Sequence, residues 1–245
     1  MASLPYLLHL ADNALILGHR NSEWCGHGPV LEQDIAITNI SLDLIGQARN
    51  LYQLAAPLAG PEATEDSLAF LRDGREFRNC LLVELPKGNW AVTVLRQFFF
   101  SNYQSLLYGQ LQQSSSAALA AVAEKAAKEV AYHLRWSSEW VIRLGDGTEE
   151  SHEKISEALT ALWPYTGELF TPAAYEDIKS IGFALEELRT SWLQTTAEVL
   201  QEATLEMPPT GWSQQGGKEG IHTEHLGFLL AEMQFLQRAY PQAQW

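Results

Sequence analysis

The chain has 245 residues, 46% of them hydrophobic, and its eight Trp, eight Tyr and nine Phe can build one sizeable core. Its 16 Lys+Arg against 30 Asp+Glu leave a net charge of −14, which repels nucleic-acid phosphate and anionic lipid and suits a basic protein partner instead. Two cysteines, Cys25 and Cys80, without a C-x-x-C spacing exclude a disulfide framework and a thiolate zinc site and fit a reducing, cytoplasmic setting, and no run of about 18 apolar residues marks a membrane span.

The first predicted helix is Tyr6–His19, with Leu7, Leu10, Ala14 and Leu17 on one face. His9, Asp12 and Asn13 interrupt this apolar stretch and no basic segment precedes it, so it reads as a core helix rather than a signal peptide. A loop, Asn21–Pro29, leads to a long second helix, Val30–Ala55. Ile37, Ile40, Leu44, Ala48, Leu51 and Ala55 form its apolar stripe, with Asn39, Asp43, Gly46, Gln47 and Asn50 beside it. Pro57 is expected to stop it. Thr64 caps a helix running to Leu85 with a break at Gly74. Trp90–Gln112 is the next long helix, and a serine loop separates it from Ala117–Leu144.

In that fourth long helix Val122, Ala126, Val130, His133, Leu134, Ser137, Val141 and Leu144 recur at three- and four-residue steps. Thr148 caps a helix to Phe170, Pro172 starts a short one to Ser180, Leu185–Thr204 follows, and Thr223 caps Glu224–Tyr240. No period-two pattern is long enough for a strand. The total of about eight or nine helices predicts an all-α bundle, a single domain over residues 1–245.

Chemistry is concentrated in a few places. His133 lies on the seam of its helix, where a carboxylate-bridged di-iron bundle carries Glu-x-x-His, both side chains pointing inward. Here Glu129 is one position early, about 100° of helix rotation away from the seam, and Val130 stands in the acidic place. On the second helix the corresponding positions are Leu44 and Gln47, neither of them a good metal ligand; Asn39, Asp43, Gln47 and Asn50 read as a hydrogen-bonded stripe.

His222-Thr223-Glu224-His225 could hold a metal if one more ligand joined it. Its plainer reading is a helix start with hydrogen-bonded or interfacial histidines. Gly216–Gly220 lacks phosphate-loop spacing and reads as a flexible loop exposing Lys218. Trp24-Cys25-Gly26-His27 cannot be assigned as a nucleophile and base from spacing alone.

These segments, Trp24–His27, Asp43–Arg49, Lys128–Leu134 and Gly217–Gly227, resemble the C subunits of bacterial phenylacetyl-CoA epoxidases, multicomponent monooxygenases. The resemblance covers nearly the whole chain and implies a ferritin-like bundle. It also implies that the catalytic A subunit, similar in fold, keeps its di-iron ligands at places matched here by Leu44, Gln47, Val130 and His133, with its other carboxylates near Ala14 and Ser101. The expectation is a non-catalytic structural subunit with no cofactor of its own and iron in the A subunit. The A subunit is its expected partner, together with the B subunit and, transiently, a reductase. The isolated chain could also pair as a homodimer.

The alternative is a di-iron or zinc ferritin-like enzyme in its own right, using Glu129, His133, Glu224 and His225. A companion subunit should expose an apolar patch. Trp24, Trp136, Trp140 and Trp212 are its candidate anchors, with Lys218, His222 and His225 as further interface candidates.

Overall fold

The three- and four-residue apolar steps of the sequence become four long helices, α1 (Leu4–Ser22), α2 (Leu31–Ala59), α5 (Trp90–Leu111) and α6 (Ala117–Gly145), in the computed structural model. The structure describes residues 2–176, 178–209, 211–241 and 243. Between and after these helices come α3 (Glu65–Phe70), α4 (Leu81–Glu84), α7 (Glu149–Leu162), α8 (Ile178–Ile181), α9 (Leu185–Glu202), α10 (Glu224–Met233) and α11 (Phe235–Ala239). No strand occurs among the described residues, and the fold is an all-α, ferritin-like bundle.

The helices pack as two hairpins. In the first, α1 and α2 run antiparallel. In the second, α5 and α6 are joined by the serine loop, where Ser116 caps α6 by accepting from Leu119 N. The hairpins meet along α2 and α6, where Gln47 bonds Glu129 and Asp43 bonds His133, an antiparallel register. The predicted α2 stripe, Ile37, Ile40, Leu44, Ala48, Leu51 and Ala55, is 0–1% exposed. On α6 the buried set is Leu119, Ala123, Ala126, Val130, His133, Trp136, Ser137, Val141 and Gly145. Val122, Leu134 and Leu144, predicted for that stripe, lie at its half-buried margin.

Thr64 and Thr148 do cap their helices, each in a reciprocal pair with the serine three residues on. Four boundaries differ from the sequence reading. Pro57 does not stop α2: the helix continues to Ala59 and ends at Gly60, whose φ of 141° breaks the right-handed path. At Pro57 the helix forgoes only the one N–H that proline lacks. The predicted helix from Thr64 to Leu85 is three short pieces, α3, a turn at Gly74–Glu76 and α4.

The predicted helix to Phe170 ends at Leu162, before Pro164, and gives way to 3-10 turns at Trp163–Tyr165 and Gly167–Phe170. The last predicted helix is divided at Gln234, whose side-chain amide donates to Ala69 O and Arg72 O. In these last three cases tertiary hydrogen bonds or proline end a helix whose local propensity would have carried it on.

Candidate functional site

The inward faces of α1, α2, α5 and α6 place in the interior all six positions that the resemblance matches to di-iron ligands. Ala14, Leu44, Ser101, Val130 and His133 are fully buried and Gln47 is 2% exposed. Their partners are internal. Gln47 Nε2 donates to Glu129 Oε2 at 2.9 Å, while its carbonyl oxygen accepts from Tyr108 OH at 3.2 Å and faces Gln104 Nε2 at 3.5 Å. His133 Nε2–H donates to Asp43 Oδ2 at 2.9 Å, and its Nδ1 is buried with no partner among the described residues.

Ser101 Oγ accepts from Gln97 Nε2 at 2.8 Å, and Gln97 in turn accepts from Asn21 Nδ2 at 2.6 Å. Amides and hydroxyls thus bridge the helices where a di-iron bundle uses carboxylates and imidazoles. This donor set does not fit an iron pair. Ala14, Leu44 and Val130 have no lone pair to give, a neutral amide cannot balance two metal cations in a low-dielectric interior, and the one remaining ligand type, the Nδ1 of His133, cannot hold an iron pair by itself.

The His222-Glu224-His225 cluster does not assemble either. Glu224 is exposed, whereas His222 turns inward: Nδ1 lies 2.7 Å from Glu84 Oε2 and Nε2 lies 3.1 Å from Phe77 O. Two acceptors require both ring nitrogens to carry protons. Burial works against that charge, but the Glu84 carboxylate outweighs it and holds the imidazole pKa above its ordinary value. His225 is half-buried, and its carbonyl accepts from Arg20 Nη2. Among the described residues no three or more His, Cys, Asp or Glu side chains converge as a metal-binding group.

The larger polar feature lies on the other side of α1, where buried carboxylates hold the irregular segments. Asp12 is fully buried and accepts from Arg72, Tyr52 OH and Arg78 N. Glu84 is also fully buried and accepts from His222, Thr223 N at 2.6 Å, Thr223 Oγ1 at 2.8 Å and Asn79 Nδ2 at 2.8 Å. Thr223 therefore spends its hydroxyl on Glu84 rather than on capping α10.

Glu168 accepts from Leu81 N at 2.7 Å and Gly216 N at 2.8 Å, and burial raises its carboxyl pKa. Glu176 is paired with Lys218 Nζ at 2.8 Å. Burial would push this carboxyl up, but the positive field of its partners leaves it below the usual value. Lys218 gives its remaining donors to Thr171 O and Leu169 O and is 4% exposed, so the expectation of a flexible loop displaying an exposed lysine is corrected. The glycines around it explain the loop's course. A Cβ on Gly217 would lie 2.2 Å from Asn79 O, and Gly220 has φ of +81°.

His9, Asp12 and Asn13, the polar interruption of the first helix, are the α1 side of this hub: His9 Nδ1–H donates to Arg78 O and Asn13 Oδ1 accepts from Cys80 N. Glu84, Glu168 and Glu176 went unremarked in the sequence. The one available signal was Glu84 itself, an acid inside the apolar run Leu81–Leu85.

Three of the four candidate tryptophan anchors meet in one half-buried cluster. Trp24, Trp136 and Trp140 stand edge-on around Trp90 with ring centroids 5.1–6.0 Å apart, and Gln33 Oε1 accepts from both Trp136 and Trp140. Trp136 is 7% exposed, whereas Trp212 is 76% exposed.

Comparison with known proteins bears on this architecture. The family described as phenylacetic acid catabolic protein matches residues 1–245. The chain belongs to this family. A relative from Escherichia coli (strain K12), described as the C subunit of 1,2-phenylacetyl-CoA epoxidase, is 48% identical over 249 residues, covering 98% of each chain. Membership agrees with the resemblance carried by the four sequence segments.

Proposed function

We propose that this chain is the non-catalytic structural subunit of a multicomponent monooxygenase that epoxidises the ring of phenylacetyl-CoA, binding and supporting a di-iron catalytic A subunit in aerobic phenylacetate catabolism. One observation carries the reading: where a di-iron bundle needs ligands, this bundle has Leu44, Gln47 and Val130, and its polar side chains are engaged with one another. Similarity along the whole chain to the C subunit of an epoxidase supports it. On this reading the iron, the oxygen chemistry and the transient reductase contact belong to the catalytic subunit, and the B subunit joins the same assembly. The chain contributes a rigid body. The seam between its two helical hairpins is filled mainly with amides and apolar groups, where an unneutralised cluster of carboxylates would be costly to bury.

Reconstitution tests this. The purified chain with phenylacetyl-CoA and a reductant should form no epoxide, and adding the catalytic subunit with its reductase should restore turnover. Activity that is the same with and without this chain would contradict the reading, as would activity of the chain alone.

A further inference from the structure

The second helix has two apolar faces. One is the buried stripe. The other consists of Leu31, Ile35 and Leu42, which are 72%, 52% and 62% exposed, with Ile45 half-buried. With Thr38 and Arg49, these positions follow a 4-3-4-3-4 spacing, the repeat by which one helix receives another along a coiled-coil seam. From residue 31 to residue 49 the seam is roughly 27 Å long at about 1.5 Å per residue. The opposite side of α2 is core, so this face is held rigid and loses little freedom on being covered.

Charge decides what covers it. Glu32 and Asp34 border the stripe; Asp34 also accepts from Gly26 N and Gly28 N, and the cation on the stripe, Arg49, is paired with Glu65 at 3.1 Å. The whole chain carries a net charge of −14. A second copy would set acidic border against acidic border. A helix whose apolar stripe is bordered by Lys and Arg would instead find complementary charge. Other exposed apolar residues, among them Trp212, Ile221, Phe228, Phe235 and Leu236, lie in loops or on the ten-residue α10 and the five-residue α11, and no helix there offers comparable length.

We infer that the outer face of α2, centred on Leu31, Ile35 and Leu42, is the docking seam for a basic-flanked amphipathic helix of the catalytic subunit. The inference rests on the function proposed above, and the test separates the two. Binding of the purified catalytic subunit is measured for the wild-type chain, for Ile35→Glu/Leu42→Glu, for Leu42→Asn alone, for Glu32→Lys, and for Phe228→Glu/Phe235→Glu as a control face. Melting curves accompany each variant, and light scattering gives the mass of the isolated chain.

The double variant on α2 should lose roughly 100-fold or more in affinity, and Leu42→Asn a smaller but clear amount, with melting unchanged. Glu32→Lys should slow association at low salt by about threefold or more. The control should bind as wild type. If the double variant misfolds, Leu42→Asn carries the test by itself. Wild-type binding that survives the α2 changes overturns the docking seam and leaves the proposed function standing. A dimer of the isolated chain that the α2 changes convert to monomer, with binding of the catalytic subunit intact, assigns the seam to a second copy and overturns the inference. Failure of the wild-type chain to bind overturns both.

Discussion

Val130→Glu probes the seam directly, because it places a carboxylate at a buried position that the resemblance matches to a di-iron ligand. Val130 is fully buried, on the same α6 turn as Glu129 and His133, which are already engaged by Gln47 and Asp43. With no cation to pair with, the new carboxyl should stay protonated. Holding a group of ordinary pKa about 4.3 neutral at pH 7 costs about 3.7 kcal/mol, and roughly 1 kcal/mol at pH 5. Crowding from the longer side chain adds about 1–3 kcal/mol at any pH.

The folded carboxyl pKa is raised, so the penalty grows as pH rises from the unfolded value toward the folded one. Urea unfolding of variant and wild type should therefore show a deficit about 2–3 kcal/mol larger at pH 7 than at pH 5. A deficit independent of pH would mean that water or a counter-ion reaches Val130, and the dry-seam reasoning would be refuted.

Other substitutions test the hub. Glu84→Ala removes the acceptor of His222, Thr223 and Asn79 and should cost about 3–5 kcal/mol in chemical denaturation. Lys218→Met leaves the buried Glu176 carboxylate without its cation and should cost a similar amount, about 3–5 kcal/mol, whereas Lys154→Met at the exposed Lys154–Glu150 pair should leave the melting temperature unchanged. A histidine with a raised folded pKa contributes stability that is complete below its unfolded value, about 6.5, and is lost as pH rises through the folded value. His222→Gln should accordingly lower the urea midpoint more at pH 5.5 than at pH 8.5; an equal loss at both would mean that His222 is not charged in the fold. A thiol reagent should modify one cysteine in the native protein, the exposed Cys25, and reach Cys80 only after unfolding, since burial both hides that thiol and raises its pKa.

The long helices were legible because a single apolar period of three to four residues runs through each, as Ile37 to Ala55 shows. The inward places of Val130 and His133 were legible for the same reason: Glu129, Val130 and His133 differ by whole steps of helix rotation, so position alone says which faces inward. Reading one buried stripe on α2 concealed the second, since Leu31, Ile35 and Leu42 are apolar but face water, and only the fold shows which stripe the core uses.

The hub was not legible. Lys218 looks like a surface residue by type, yet Glu176 draws it in across a sequence separation of 42 residues. Residues 71–80 contain no proline that would end a helix. Their backbone donors instead go to Asp12, to Asn13 and to a short 3-10 turn. Local propensity carries no record of such distant acceptors.

Iron analysis of the chain purified alone from iron-supplemented medium tests the central claim most directly. The expected result is far less than one iron per chain, unchanged by His133→Ala, with iron appearing only when the catalytic subunit is co-purified. Stoichiometric iron in the isolated chain, lost on His133→Ala, would contradict that claim and make the seam a metal centre.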